Sequence, residues 1–450
     1  PETLTAKLGD RRNKAYNCEN THTMSQATIT SKASTSWRRN LAAIWFAELI
    51  AIVGFTVVIP LLPLYVEELG IQGEREIRIW AGVIFSTHAV MMGIFGPIWG
   101  ALSDRYGRKV MVERAMFGGA VLIALMGYAQ NVQQLALLRG LQGALTGTVT
   151  AANALVATAA PRERAGSALG MLQMAIYVGA SAGPLLGGLV ADTFGYRVPF
   201  WVTGGLLVLA GLSVHFFVKE SFRPVASPAG KHAATAAGRS TLRYRLRNRL
   251  APVLESPALR GVLGVRLLMR LGARLLGPVL PLFIQAIVPP GARVASITGV
   301  VSGVSAAAGA VGAIALGRLG DRIGYRGILV ACALISVVCY LPQPFVSSPT
   351  ALLFWQAGTG LAMGGILASL SASLARLSPQ GQEGIIYGVD ATVVSSANAI
   401  GPMTGSALAA GLGLRAPFLF AAGMFGLAGV AAARLLPGRA HRSGAGPGAA

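Results

Sequence analysis

Residues 100–107 read Gly-Ala-Leu-Ser-Asp-Arg-Tyr-Gly, and the pattern returns at residues 317–324 as Gly-Arg-Leu-Gly-Asp-Arg-Ile-Gly. A second stretch, Pro-Leu-Leu-Pro-Leu-Tyr-Val at 60–66, returns at 278–284 as Pro-Val-Leu-Pro-Leu-Phe-Ile. The offsets are 217 and 218 residues. Self-similarity at a nearly fixed offset indicates a repeated structural unit. The chain is therefore expected to consist of two related halves.

A third, shorter pair has the same spacing, because Gly183-Pro184 corresponds to Gly401-Pro402 at an offset of 218 residues. Three widely separated matches at nearly one offset are hard to obtain by chance. They extend the repeat over most of each half.

The composition places these halves in a membrane. Only 12% of the 450 residues are charged, against about 25% in ordinary soluble proteins. Hydrophobic residues make up 53% of the chain, and the mean hydropathy is +0.59. The net charge of +21 would suit a nucleic-acid binder, but the scarcity of charged side chains excludes a soluble one, and the apolar content excludes a disordered basic chain. The cysteines Cys18, Cys332 and Cys339 form neither a disulfide framework nor a metal-ligand pattern.

Twelve apolar stretches are long enough to cross a membrane, which takes roughly 20 apolar residues. The sequence thus predicts an all-α polytopic membrane protein with two pseudo-symmetric six-helix halves. The predicted spans are 41–66, 79–102, 110–130, 133–157, 166–190, 198–218, 257–286, 295–317, 327–346, 350–374, 384–411 and 415–436.

The expected domain organisation follows from these spans. A cytoplasmic N-terminal tail, 1–40, precedes a six-helix bundle, 41–218. A basic linker, 219–256, leads to the second six-helix bundle, 257–436, and a short tail, 437–450. The linker is much longer than the other connections and carries arginines at alternate positions. Anionic lipid headgroups are its expected contact, rather than nucleic acid.

The distribution of Lys and Arg predicts the orientation, because cytoplasmic loops of membrane proteins carry an excess of both. Most of the 38 basic residues lie in the two tails, the linker and the loops on the same side. Both termini are therefore expected in the cytoplasm, with the protein in the plasma or inner membrane of the cell. The chain begins with Pro1, and Met24 is a candidate for the natural start.

The repeated loop motif reads Gly-x-Leu-x-Asp-Arg-x-Gly-Arg-Lys in its first copy. Its glycines permit a tight turn, and Asp104 is placed to accept hydrogen bonds at a helix N-terminus and to pair with an arginine. The motif closely resembles the loop signature of the major facilitator superfamily. The resemblance implies a twelve-helix fold and a conformational latch between the halves on the cytoplasmic side. The latch residues would be Gly100, Asp104, Arg105, Gly107 and Arg108, with Asp321 and Arg322 in a second copy, where Tyr325 replaces the first of the two basic residues.

A basic residue lies within the fourth span, where Arg139 belongs to Leu-Arg-Gly-Leu-Gln-Gly. An arginine inside a membrane is costly and usually faces a protein interior, a cavity or an acidic partner. The pattern resembles the fourth-helix signature of proton-driven members of the superfamily, which implies a role for Arg139 in proton transfer. An interhelical pair alone is the alternative.

The fifth span contains the motif Gly-x-x-x-Gly-Pro-x-x-Gly-Gly. Small residues at four-residue spacing allow close helix contact, and the proline bends the helix. The motif resembles the fifth-helix signature of the twelve-helix drug:proton antiporters, the bacterial multidrug exporter type, and so implies export. Its residues are Gly179, Gly183, Pro184, Gly187 and Gly188.

Two acids inside the spans, Glu48 and Asp390, are candidates for carrying the coupling proton. A carboxylate within a membrane is a functional candidate by default, and burial favours its protonated form. The offset of 218 places Arg266 at the position equivalent to Glu48, which suggests a pair across the cavity. The alternatives are a static ion pair for Glu48 and a partnership of Asp390 with Arg376.

Three arginines of the seventh span, Arg266, Arg270 and Arg274, share one helix face because they are four residues apart. Facing lipid would be very unfavourable, so they are expected to face the cavity, other helices or water. The hypothesis is that this face receives anionic or zwitterionic groups of the substrate, with Glu48 and Asp390 partly compensating its charge. Exporters of hydrophobic cations are expected to have acidic or neutral cavities, so this face leaves the charge of the substrate open.

Methionine and aromatic side chains of the spans are candidates for an adaptable apolar pocket, because methionine is flexible and polarisable. The alternative for each is ordinary helix packing. The candidates are Phe46, Phe55, Met171, Met174, Tyr177, Met269, Trp355, Met363 and Tyr387.

The sequence has no phosphate-binding Gly-x-x-x-x-Gly-Lys-Ser/Thr loop, no metal cluster and no nucleophile–base pair, so neither ATP-driven transport nor enzymatic activity is expected. The predicted function is proton-coupled efflux of small amphipathic compounds by a monomer, as in multidrug exporters that give antibiotic resistance. The proton gradient supplies the energy, and no cofactor is expected. One alternative is an importer or facilitator for a metabolite, against which the fifth-span motif argues. Another is a membrane sensor or lipid-handling scaffold, against which the charges inside the spans argue.

Overall fold

The computed structural model describes residues 37–159, 164–218, 220, 255–379 and 382–436. The proposed start at Met24, nearly all of the N-terminal tail and the linker, and the C-terminal tail lie outside the described residues.

Fourteen helices of these residues correspond to the twelve predicted spans, because the fourth and the seventh span each consist of two helices. They are α1 (Trp37–Glu68, with a 3₁₀ turn at Ile59–Leu61), α2 (Glu74–Tyr106), α3 (Arg108–Met126), α4 (Val132–Leu145), α5 (Thr148–Ala159), α6 (Ala165–Phe194), α7 (Val198–Phe217), α8 (Pro257–Leu275), α9 (Val279–Ile287), α10 (Val294–Ile323), α11 (Tyr325–Tyr340), α12 (Pro349–Leu377), α13 (Glu383–Leu412) and α14 (Ala416–Leu435).

Eight helices of the described residues are long and apolar enough to cross a membrane individually, or nine if α8 and α9 form one bent span. The remaining segments have identifiable reasons for a weaker signal. Charged residues at the start of α3 break its apolar run, α4 and α5 are separate helices, and Ser, Asn and Gly lower the hydropathy of α13. The chain is a multi-pass, all-helical membrane protein.

Two predicted spans are interrupted, contrary to their treatment as continuous helices. The fourth breaks between α4 and α5 at Gly147, whose φ of +145° suits glycine and not a residue with a side chain. The seventh bends by 40° between α8 and α9, where Pro278 lacks the backbone donor that a continuous helix needs.

The two halves have matching turns. Gly107 and Gly324 both end a long helix with φ near +100°, and Gly195 and Gly413 do so with φ near +90°. Each pair lies at the repeat offset. Buried apolar side chains form one cluster made almost entirely of residues 41–218 and a second made of residues 259–436.

The bundle has two ends, a linker end and a loop end. The linker end holds the turns at Gly107 and Gly324 and the residues on either side of the linker. The loop end holds the turns at Gly195 and Gly413. The halves meet where α6 packs on α10 and α2 packs on α13.

The halves touch closely toward the loop end. A Cβ atom on Gly188 of α6 would lie 2.2 Å from the carbonyl oxygen of Ala295, and one on Gly299 of α10 would lie 2.2 Å from that of Pro184. Between α2 and α13, a Cβ on Gly82 would lie 2.5 Å from Cβ of Ser406. At the linker end, Gly96 and Gly100 of α2 and Gly388 of α13 have open space instead. Among the described residues, the halves are therefore in close contact at the loop end and apart at the linker end.

Gly188→Ala is expected to force α6 and α10 apart, because the new methyl group has only the backbone of Ala295 to displace. The variant should melt at a lower temperature than the parent in a thermal scan of the purified protein. Gly170→Ala is the matched control on the same helix, since nothing lies within 4 Å of that position. Equal melting temperatures for the two variants would contradict the close contact.

Candidate functional site

A cavity of about 860 Å³ lies between the linker-end halves of α2 and α13. Its walls include Met92 and Ile94 of α2 and Thr392 and Ser395 of α13, so both halves of the protein contribute. Most of its surface is apolar, and the open glycines described above border it. The cavity has the size and the apolar lining typical of small-molecule sites.

Two polar side chains at this cavity were not singled out by the sequence. The guanidinium of Arg114 stacks 3.5 Å from the ring centre of Trp99, and Trp99 donates from Nε1 to the carbonyl oxygen of Ala144 at 2.6 Å. Both residues line the cavity. A charge within the third span was the available signal for Arg114, but nothing in the spacing pairs it with an aromatic ring on another helix.

A buried ion pair joins α8 and α13. Arg266 Nε lies 2.8 Å from Asp390 Oδ1, and each residue is 7% exposed. Asp390 thus pairs with Arg266, and the alternative partner Arg376 stacks instead over the ring of Tyr325, 4.6 Å from its centre. Both members of the ion pair belong to the second half.

The other two arginines of α8 are more accessible than Arg266. Arg274 donates from Nε to Asn398 Oδ1 at 2.8 Å and is exposed, while Arg270 is half-buried. Arg270 interacts electrostatically with Asp390 and with Tyr177 of α6, a residue of the first half. The three arginines therefore lie along α8 as predicted, and Asp390 is the one acid among the contacts described here for them.

Glu48 lies on α1 and is completely buried. Its repeat-equivalent residue, Arg266, has Asp390 as its ion-pair partner in the structure. The predicted pair between Glu48 and Arg266 across the cavity stays a prediction.

Arg139 is buried where α4 packs on α2. Its Nη1 donates to Gln142 Oε1 at 2.6 Å. Close packing holds it there, since a Cβ on Gly143 would lie 2.2 Å from the carbonyl oxygen of His88. Arg139 and His88 interact electrostatically. The arrangement satisfies part of the guanidinium, and the proton-transfer role of Arg139 stays a prediction.

The glycine motif of the fifth span serves two contacts at once. Gly179, Gly183 and Gly187 lie against α1, where added Cβ atoms would come within 2.0 to 2.9 Å of α1 atoms. Thr56 of α1 donates from Oγ1 to the carbonyl oxygen of Gly179 at 3.1 Å. Gly188 faces α10 in the other half. The motif therefore packs one half internally and also forms part of the contact between halves.

The first copy of the loop motif starts α3 in a way that the sequence did not predict. The backbone nitrogens of Arg108 and Lys109 donate to Glu220 Oε1 and Oε2 at 3.1 and 2.9 Å. Glu220, which follows the sixth span, thus accepts from the first backbone nitrogens of α3, and the acceptor role expected of Asp104 stays a prediction. The tight turn at Gly107 was correctly anticipated, with φ of +97°.

The second copy is built around Tyr325, the residue that departs from the motif. Its hydroxyl donates to Asp321, and its ring receives the guanidinium of Arg376. Arg326 donates to the carbonyl oxygen of Ala433. These contacts stay within the second half, as expected when the linker end is open. The latch role of both copies stays a prediction.

None of the nine predicted pocket residues borders the cavity between α2 and α13. Met269 lies in the apolar core of the second half and is completely buried, so it packs there. Phe46, Met174 and Tyr387 are about half exposed. Helical spacing placed these residues in the spans but did not determine which side of each helix faces the cavity.

Two related helical halves around a cavity, with a buried ion pair inside the spans, define a membrane transporter. The chain belongs to the Major Facilitator Superfamily, whose family model matches residues 44–265 and 262–450. Among curated proteins, it is 34% identical over 394 residues to the multidrug resistance protein MdtG of Salmonella paratyphi A and to that of Salmonella typhimurium, covering 88% of this chain and 94% of each relative. Transporters of this superfamily bind small-molecule substrates.

Solved structures show the same fold. A bacterial homologue of the human lysosomal transporter Spinster, in its inward-facing and unoccupied conformation, has a TM-score of 0.69 at 17% identity, covering 90% of this chain and 99% of that one. The human organic anion transporter MFSD10 has a TM-score of 0.61 at 20% identity, covering 88% and 99%. At these identities the likeness shows the fold alone.

Breaking the buried ion pair on one side should destabilise the protein more than removing both charges. Asp390→Leu leaves the Arg266 guanidinium buried without its counter-ion, which typically costs about 3 kcal/mol or more. Arg266→Met combined with Asp390→Leu should recover much of that loss. Thermal melting of the two single variants and the double variant measures the coupling. Strictly additive effects would show that the two residues do not depend on each other.

Proposed function

We propose that this protein exports small amphipathic compounds from the cytoplasm, driven by the proton gradient. The observation that carries the proposal is the apolar cavity that is shared by both halves and open at the linker end. The name of the MdtG relatives, multidrug resistance protein, supports the same class of substrate. The predicted consequence for the cell is antibiotic resistance, with the monomer as the working unit.

The orientation proposed from the basic residues puts the linker end in the cytoplasm, and the open cavity then faces inward. A compound would enter from the cytoplasm, and the halves would rock until the loop end opens to the outside. Only a ligand that binds the two states with different affinity drives such an exchange. The buried acids are the groups whose protonation can supply that difference.

Asp390 is the first candidate for the proton carrier, because it bonds Arg266 and also interacts with Arg270. A proton on Asp390 removes the negative charge that these arginines share, and so alters the charge that the site presents to a substrate. Glu48, buried on α1, is the second candidate.

Everted membrane vesicles test direction and coupling together. Acidifying the lumen should drive the parent protein to load a fluorescent substrate, whereas an importer or facilitator would not accumulate it. Asp390→Asn or Glu48→Gln should abolish the gradient-driven loading if that residue carries the proton. Exchange of substrate without a gradient, measured in the same vesicles, shows that the variant is folded. Full gradient-driven loading in a variant removes that residue from the coupling mechanism.

The arginine face is the basis for proposing that the substrate carries anionic or zwitterionic groups. Arg266 is compensated by Asp390, while Arg270 and Arg274 are more accessible and add positive charge at one site. Anionic or zwitterionic groups of the substrate would bind these two guanidiniums.

Arg270→Gln should lower the transport of an acidic dye by about tenfold, the effect expected for losing a hydrogen bond to a charged group, and should spare a cationic dye. Arg260→Gln is the control, since Arg260 is exposed near the start of the same helix. The ratio of the two transport rates is the readout. An unchanged ratio in Arg270→Gln would disprove anion binding at this face.

A further inference from the structure

The loop end is closed by hydrogen bonds between the halves, and carboxylates accept several of them. Asp192, near the end of α6, accepts from the backbone nitrogen of Ser296 at 2.6 Å and from that of Ala295 at 3.3 Å. Ser296 in turn donates from Oγ to the carbonyl oxygen of Gly188 at 3.3 Å. In all three hydrogen bonds, the residue of the second half lies in the first turn of α10.

Helix α10 depends on this carboxylate because its own first turn offers no substitute. Its N-cap residue, Arg293, makes no side-chain capping bond, and the first turn contains no acidic residue. A carboxylate that accepts from the second and third backbone nitrogens of a helix fulfils the role of an N-cap side chain and also interacts favourably with the helix dipole. Here the cap comes from the opposite half.

The repeat-equivalent helix in the first half is built differently. Helix α2 carries Glu74 and Glu76 in its own first turn. In its contact with the other half, a side chain at the start of the helix donates to the end of the opposite helix: Arg78 Nη1 donates to the carbonyl oxygen of Ala409, near the end of α13, at 3.1 Å. At α10, by contrast, backbone nitrogens donate to a side chain of the opposite helix. Arg78 and Ser296 occupy equivalent positions of the repeat. Of these two helices, only α10 is capped by a side chain of the opposite half.

We infer that Asp192 is a positioning residue of the transport cycle, which holds the loop end closed by capping α10 across the interface between the halves. The cap exists while the loop end is closed and must break when the halves rock open, so its free energy favours the state described here. The inference rests on the alternating access of the proposed function, but not on any particular substrate.

Other charged groups lie near Asp192 and have different partners. Glu68 pairs with Arg197 at 3.6 Å within the first half, and Glu67 accepts from Gln285 Nε2 at 2.8 Å. Tyr196 stays neutral, since burial and the nearby carboxylates of Asp192, Glu67 and Glu68 raise its pKa to about 12. Glu68 thus provides a matched control: a carboxylate at the same end whose ion pair does not cross between the halves.

Distances between spin labels at Gln72 and Ser347 report the state of the loop end, because both residues are exposed in loops there and belong to different halves. The labels are introduced in the full chain with Cys18, Cys332 and Cys339 replaced by serine, and the protein is measured in lipid nanodiscs without substrate. Asp192→Ala should raise the ratio of long to short distances by about tenfold, as expected for loss of an N-cap with its charge.

Graded variants separate capping from a general loss of structure. Asp192→Asn keeps an acceptor without the charge and should shift the ratio less than Asp192→Ala, while Glu68→Gln should leave it unchanged. Arg293→Ser gives α10 its own cap in both states, so Asp192→Ala should have a smaller effect in that background. Unchanged distances in both Asp192 variants, or an equal shift in Glu68→Gln, would overturn the inference. A shift as expected, together with no efflux in vesicles, would reject the proposed function while leaving the role of Asp192 standing.

Discussion

Charged and polar groups inside a membrane must be satisfied by the protein itself, because hydrocarbon offers neither water nor counter-ions. This constraint explains why the charges of the spans lie where they do. Arg266 is held by Asp390, Arg139 bonds Gln142, and Arg114 stacks on Trp99. Each of these contacts joins helices or neighbouring turns, so satisfying a charge also determines how helices are placed beside the cavity.

Inside a membrane, helices must also pack against each other without a hydrophobic driving force. Since lipid is as apolar as the helix surfaces, close backbone approach replaces burial from water as the source of attraction. The glycines of α6 and α10 permit that approach at the loop end. Backbone contact there is close enough to be sensitive to a single methyl group, whereas the linker end is spacious. A bundle that is tight at one end and open at the other is suited to rocking, because the halves can pivot without repacking their separate cores.

The sequence was informative wherever a property depends on local composition or on the repeat. Apolar length predicted the spans, the offset of 218 predicted two related halves, and the glycine pattern predicted a tight turn at Gly107 and close packing along α6. It failed where a residue's role depends on a partner far along the chain. Glu220 lies 112 residues from Arg108 and accepts from its backbone nitrogen at the start of α3, and no local sequence pattern marks Glu220 for that role.

Sequence alone therefore determined the class of the protein, its helical multi-pass character and the presence of charges that need partners, because hydropathy and short motifs are properties of neighbouring residues. Only the tertiary structure decided which partners those charges have, which end of the bundle is open and how Asp192 of one half caps a helix of the other. The reason is physical: hydrogen bonds and ion pairs depend on distances of a few ångströms between helices, and helical periodicity leaves the relative rotation of those helices undetermined.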